Sequence, residues 1–289
     1  MIDKPCALRP LGLARATNLT LIQHNSPGSG DVFLSMFASL TECPLPDMVL
    51  PQDAPSSKGF LPSFSGFKSF APPVTRSRVA CYISQNFLRR FVVLPSFPPE
   101  RDNFRTLEVL TAGGCFGTTS PRFTIGNAYA RPLCPFLHSV SSEYSFLNRD
   151  HPYLVAGKLN IHNAATDPSR LLSSKENKQS TPYLDRAPDL DFTLLNTPGV
   201  YTRFPFWGTH RTSTIDLAFA NSHMFPTFYS WDASSLPSTG SDHAPILVTL
   251  RPPTPHNDKP RPRWQEANWP SLTDRLKNWI IPPPRNPLP

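Results

Sequence analysis

Gly240-Ser241-Asp242-His243-Ala244-Pro245-Ile246-Leu247-Val248-Thr249-Leu250 sets an acidic residue and an imidazole side by side at the mouth of a short apolar run. Bounded by Ser and Gly upstream and by Pro252-Pro253 downstream, the run reads as a buried β-strand. Asp242 and His243 therefore belong at the strand's lip. Alone, such a pair is most often an ordinary surface turn. It gains weight because other apolar runs in the chain end in the same manner.

Asn18-Leu19-Thr20-Leu21-Ile22-Gln23-His24-Asn25 is apolar and turns polar at its end. In a strand Leu19, Leu21, Gln23 and Asn25 share one face, so Asn25 emerges at the carboxyl lip. After the turn Pro27-Gly28-Ser29-Gly30, Asp31 is expected to cap a helix carrying Val32, Phe33, Met36, Phe37 and Leu40 at helical spacing. Met48-Val49-Leu50-Pro51-Gln52-Asp53 is a second apolar run ending in a carboxylate, and residues 54–75 read as a long surface loop. Strands are expected over Arg78–Ile83, over Arg90–Leu94 and around Leu107 and Val109. Phe123, Ile125, Asn127 and Tyr129 alternate on one strand face, ahead of a helix starting at Pro135.

Tyr153–Asn163 is another run with a polar end, in which Lys158 and Asn160 share a face. Tyr183, Leu184, Ala187 and Leu190 suggest a helix, and Phe192–Asn196 a strand. In Ser213–Phe219, Ile215, Leu217 and Phe219 fill one face, while Asp216 lies on the other beside small Ala218 and Ala220. That leaves room for another side chain to approach Asp216. No internal repeat is visible.

Composition narrows the class. Proline reaches 36 of 289 residues, which disfavours a helical bundle and favours short elements joined by long loops. The net charge of +7 and pI near 9.3 favour a polyanionic partner. Five cysteines, odd in number and never in a C-x-x-C pair, argue against a zinc knuckle or a disulfide framework and for an intracellular setting. No run approaches the length of a membrane span, so no membrane partner is expected. Residues 1–16 lack periodicity and read as an irregular arm; residues 252–289 hold eleven prolines in 38 positions and read as a linker with a short amphipathic helix. The intervening 17–251 is taken as one α/β domain.

Asn25, Asp53, Tyr129, Asn160, Asp216 and Asp242-His243 each sit at the end of an apolar run. Singly, each reads as a strand-end hydrogen bond or a turn. As an ordered set they can converge on one crevice, as groups at strand ends do in open α/β sheets.

That set, over about residues 18–251, resembles the endonuclease/exonuclease/phosphatase superfamily with its DNase I-like, exonuclease III-like fold. Within it the chain looks most like the endonuclease domain of LINE-type (non-LTR) retrotransposon polyproteins. The resemblance is carried by Gln23-His24-Asn25, by Gln52-Asp53 in place of Gln-Glu, and by Asn127-Ala128-Tyr129. It continues in Gly157-Lys158-Leu159-Asn160 in place of Gly-Asp-Phe-Asn, Asn196–Thr202, Ile215-Asp216 and Ser241-Asp242-His243, with Trp264 and Trp269 resembling the linker toward a reverse transcriptase.

The resemblance implies a four-layer α/β sandwich of two packed mixed sheets flanked by helices. It implies a monomeric nuclear enzyme that nicks DNA with Mg²⁺ or Mn²⁺ and needs no small-molecule cofactor. By the same resemblance Asp53, Asp242 and Asn25 would serve the metal, and His243, oriented by Asp216, would hydrogen-bond the scissile phosphate. Tyr129 and Asn160 would position phosphate and water, and Thr202 would contact DNA. A phosphomonoesterase or lipid phosphatase on the same fold is the remaining enzymatic alternative.

Departures from the pattern predict impairment. Lys158 stands where the family has a carboxylate that activates or positions water, and loss of a general base costs about 10²- to 10⁴-fold. An ammonium about 5 Å from a divalent ion adds several kcal/mol of repulsion at an effective dielectric near ~20. A catalytically dead nucleic-acid-binding remnant is therefore the alternative reading. Pro51 within a core strand, Pro188 within a helix and Asp191 at a helix end break folding rules without evident function, which suggests a copy drifting without selection.

Overall fold

The structure, a computed structural model, describes residues 18–40, 45–55, 61–70, 78–96, 104–110, 122–129, 151–164, 166–168, 187–206 and 211–251. The arm, the helices expected from Pro135 and over Tyr183–Leu184, and the Pro-rich linker lie outside those residues. Among the described residues, two six-stranded sheets make the fold.

The first sheet contains β1 (Leu19–Asn25), β2 (Met48–Gln52), β3 (Phe67–Phe70), β4 (Cys81–Ser84), β11 (Phe228–Asp232) and β12 (Ile246–Leu250), in the order β11-β12-β1-β2-β4-β3. The second contains β5 (Val92–Ser96), β6 (Phe104–Leu110), β7 (Arg122–Tyr129), β8 (Tyr153–Lys158), β9 (Phe192–Leu194) and β10 (Asp216–Asn221), in the order β5-β6-β7-β8-β10-β9. Each sheet has one parallel pair near its middle, β1 with β2 and β7 with β8, and is antiparallel elsewhere.

Alternation assigns the faces. Leu19, Leu21, Met48, Leu50, Ile246 and Val248 of the first sheet join Phe123, Ile125, Leu154, Ala156, Ala218 and Ala220 of the second in one buried core between the sheets. The opposite face of the first sheet, with Ile22, Val49 and Tyr82, is covered by Phe33, Met36 and Phe37 of α1 (Gly30–Ser39). The opposite face of the second, with Tyr153, Val155, Leu217 and Phe219, packs on Leu159, Ile161, Ala187 and Phe192. This is the expected α/β sandwich of two packed mixed sheets.

Several local expectations change. Ser29 caps α1, its hydroxyl accepting from the Val32 N–H, and Asp31 falls in the first turn. The loop expected over 54–75 contains β3, and β11 and the one-turn α2 (Gln85–Leu88) have no counterpart in the sequence pattern. All three are too short for period to register.

Pro51 does not interrupt β2. Ala80 donates to the Pro51 carbonyl at 3.2 Å, and proline has no N–H to return the bond. The Nδ2 of Asn127, reaching across from the second sheet, donates instead to Ala80 O at 2.7 Å and to Pro51 O at 2.9 Å. Pro188 opens a 3-10 helix, Pro188–Leu190, where its missing N–H costs nothing. Asp191 takes the left-handed conformation with φ 62°, and its carboxylate accepts from Ser222 Oγ at 2.8 Å. The three apparent rule-breakers are therefore accommodated.

Candidate functional site

The two parallel pairs send the carboxyl ends of β1, β2, β7 and β8 to the same end of the inter-sheet core. Their antiparallel neighbours β10 and β12 must then begin there. Asp216 is the first residue of β10, and His243 precedes β12 by three residues. Both groups are thus delivered by strand beginnings, as the place of Asp242-His243 at the mouth of its apolar run had suggested for that pair.

Register aligns the second sheet's contribution. Tyr129 pairs with Lys158, and Lys158 pairs with Asp216, so three adjacent strands place these side chains in a row facing the first sheet. Gly157 permits that closeness: a Cβ there would lie 1.9 Å from the Ala128 carbonyl oxygen. Across the core, Gln52 Nε2 donates to Asn127 Oδ1 at 2.6 Å, which ties β2 to β7 just below the lip.

His243 bridges the sheets. Its Nδ1 lies 2.7 Å from Asp216 Oδ2, with both side chains 2% exposed. A carboxylate accepts only, so Nδ1 carries the proton and Nε2 is left facing Asp242 Oδ1 at 3.8 Å. Thr202 buttresses this pair: its hydroxyl accepts from the N–H groups of Ile215 and Asp216, and its carbonyl accepts from the Ala244 N–H. Thr202 is wholly buried. Ser241 ties the loop to β1 by donating from Oγ to the Asn25 carbonyl at 2.8 Å.

Asp53 and Asn160 stand just beyond β2 and β8, with φ of 48° and 54°. Among the described residues they are two of the three non-glycine positions with positive φ. Such backbone concentrates at functional sites because the surroundings must hold it there. Asn25, at the end of β1, is 1% exposed, and neither polar atom of its side chain has a hydrogen-bond partner among the described residues.

Three cations meet the three carboxylates. Arg78 Nη1 lies 2.7 Å from Asp53 Oδ1 and donates to Tyr129 Oη at 3.2 Å. Arg203 Nε lies 2.9 Å from Asp242 Oδ2. The Lys158 ammonium sits 5.4 Å from the centroid of the Tyr129 ring. Burial, foremost, lowers its pKa against the attraction of Asp216, Asp53 and Asp242. Burial and Asp53 together raise the Tyr129 phenol, with Arg78 opposing. Arg78 and Arg203 are site residues the sequence did not mark, since nothing in their local pattern announces partners 25 and 39 residues away.

His24, between Gln23 and Asn25, is turned to the other side of β1. Its Nε2 lies 2.8 Å from Thr239 Oγ1 and its Nδ1 3.2 Å from Ser26 Oγ. Burial, then the nearby His243, push its imidazole down to about 4, with Asp216 opposing.

A profile of the endonuclease/exonuclease/phosphatase family matches residues 29–243, a span running from the cap of α1 to His243. The chain belongs to that family. Its fold is shared with the endonuclease domain of TRAS1, a telomere-specific non-LTR retrotransposon, at TM-score 0.62 and 15% identity over 80% of this chain and 98% of that one. It is also shared with the AP endonuclease LMAP of Leishmania major, at TM-score 0.61 and 15% identity over 82% and 88%. The APE2 catalytic domain of Xenopus laevis follows, at TM-score 0.55 and 12% identity over 83% and 94%. No curated protein sequence matches. As a family member the chain carries a nuclease or phosphodiesterase type of hydrolase fold. No helix among the described residues is long and apolar enough to cross a membrane.

A divalent cation is the group such a site implies, and the donors here can be tested for it. Asp53, Asp242 and Asn25 supply hard oxygens, and the unpartnered Asn25 amide is what a ligand would satisfy. The charges do not suit the ion. Asp53 is held by Arg78, Asp242 by Arg203, and Lys158 stands among the carboxylates. Among the described residues, no group of three His, Cys, Asp or Glu is placed to hold a metal. The present arrangement therefore does not fit a divalent ion.

Proposed function

We propose that this domain engages a DNA phosphodiester at the lip between the two sheets and is an endonuclease of retrotransposon type whose hydrolysis Lys158 suppresses. The observation that carries the reading is the buried His243–Asp216 pair, joined across the sheets and opening toward Asp242. Asp216 fixes the imidazole, so that its imidazolium form donates from Nε2 to a phosphate oxygen. Tyr129 and Asn160 position the phosphate and the attacking water. Arg203 and Arg78 place positive charge at the same lip, and the chain's net charge of +7 favours a polyanion. The likeness to a retrotransposon endonuclease domain and to an AP endonuclease supports DNA over a lipid or small phosphate ester.

Lys158 occupies the place from which a carboxylate would prepare the water. In the Lys158→Asp variant the lip would hold four carboxylates against two guanidinium groups, a balance that suits Mg²⁺ or Mn²⁺ with Asp53, Asp242 and Asn25 as donors. The test is relaxation of supercoiled plasmid in Mg²⁺. Nicking is expected to be weak for the native chain and stronger for Lys158→Asp. It should fall by about 10²- to 10⁴-fold when His243→Ala is added. Absence of nicking by a folded Lys158→Asp variant defeats the enzymatic reading.

The matched charges at the lip favour a second reading, a nucleic-acid-binding module without cleavage. On that reading salt-dependent DNA binding survives Asp242→Ala and His243→Ala, and Lys158→Asp adds no nicking.

A further inference from the structure

Lys158 differs from the two arginines at the lip. Each arginine answers one carboxylate through a direct contact, Arg78 with Asp53 and Arg203 with Asp242. Lys158 pairs by strand register with Asp216, lies over the Tyr129 ring, and has an ammonium that feels Asp216, Asp53 and Asp242 together. Arg78 approaches the same ring, its guanidinium 5.1 Å from the centroid. The ammonium is thus attracted by all three carboxylates, with Arg203 opposing, as a small cation there would be.

We propose that the Lys158 ammonium is the resident cation of the Asp53–Asp216–Asp242 cluster, so that the native chain takes no divalent ion there and acquires a site for one when that charge is removed. The inference builds on the geometry behind the proposed function but concerns cation occupancy, not cleavage. It accounts for a chain that keeps its carboxylates beside a lysine: the lysine holds them together in folded form without a metal. A neutral side chain of similar length leaves three carboxylates facing two guanidinium groups, and the Asn25 amide is then free to complete the donor set.

Mn²⁺ is the probe, because its free and bound forms are distinguished by electron paramagnetic resonance whether or not DNA is cut. Lys158→Met and Lys158→Gln are expected to bind Mn²⁺ roughly tenfold tighter or more than the native chain. Lys158→Arg, which keeps the charge, should remain as weak as native. Adding Asp53→Asn to Lys158→Met should return it to the native level. Two outcomes overturn the proposal: native protein binding Mn²⁺ as tightly as Lys158→Met, or neither neutral variant gaining affinity while both melt cooperatively. The native chain alone also decides: millimolar Mn²⁺ is expected to leave its melting temperature unchanged. A stabilisation that vanishes in Asp53→Asn defeats the idea without any Lys158 variant having to fold. Because Lys158→Met binds without supplying a carboxylate base, metal uptake without nicking leaves this inference standing while the hydrolase reading fails separately.

Discussion

The two sheets repeat one plan, a central parallel pair with antiparallel flanks, yet their lips are built from different chemistry. The first sheet's lip presents amides: Gln23 and Asn25 are buried with no side-chain partner among the described residues, and Gln52 Oε1 is likewise unpartnered. The second sheet's lip presents Tyr129, Lys158 and Asp216 in register, each meeting a charged or aromatic group, with Asp216 Oδ1 alone of their polar atoms buried without a partner among the described residues. Unpartnered amides are costly to bury. One lip therefore leaves buried amides without partners and the other gathers charged and aromatic groups, with His243 linking them.

That contrast breaks most directly at Gly157. A methyl group there meets the Ala128 carbonyl at 1.9 Å and must push β7 from β8, which destroys the row on the second lip. Gly157→Ala is expected to cost about 3 kcal/mol or more, read as a lowered urea midpoint. A change within about 0.5 kcal/mol would show that the close approach is dispensable.

His24 sharpens the contrast through pH. Its folded pKa is depressed to about 4, whereas the unfolded chain protonates near the ordinary value of 6.5. Its contribution is therefore complete above the unfolded value and is lost as pH falls from 6.5 toward 4. The loss is on the order of 3 kcal/mol. Urea midpoints across that range should fall for the native chain and much less for His24→Gln.

Asn127 joins the two sheets below both lips. Asn127→Ala removes the donor to Ala80 O and Pro51 O and one of the two acceptors of Gln52 Nε2, which keeps Leu50 O. About 2 to 3 kcal/mol of destabilisation is expected by denaturant melting. If Pro51→Val, which restores an N–H facing Ala80, is introduced together with Asn127→Ala, part of that loss should return. Far from either lip, Asp191→Gly relieves a left-handed aspartate but removes its bonds to Ser222, so stability should move by less than about 0.5 kcal/mol.

Much of the architecture was legible in alternation. β1, β2, β7, β8, β10 and β12 were all marked by apolar runs, because each buries one or both faces and its pattern records that burial. The short β3, β11 and α2 were not, since four or five residues give period too few repeats. Asn25, Asp53, Tyr129, Lys158, Asn160, Asp216, Asp242 and His243 could be nominated from their places next to those runs. Thr202 could be nominated too, but not that its hydroxyl turns inward to the Asp216 backbone.

By itself the chain determined which residues would form strands and which polar groups would stand at their tips, because local alternation and punctuation are written in neighbouring residues. Tertiary structure alone decided that Asp216 meets His243 across two sheets, that Arg78 and Arg203 answer Asp53 and Asp242, and that Asn127 mends the gap at Pro51. Those pairings join residues 25 to 76 positions apart. No local pattern encodes them, since they arise only when register and sheet packing bring separate strands to one lip.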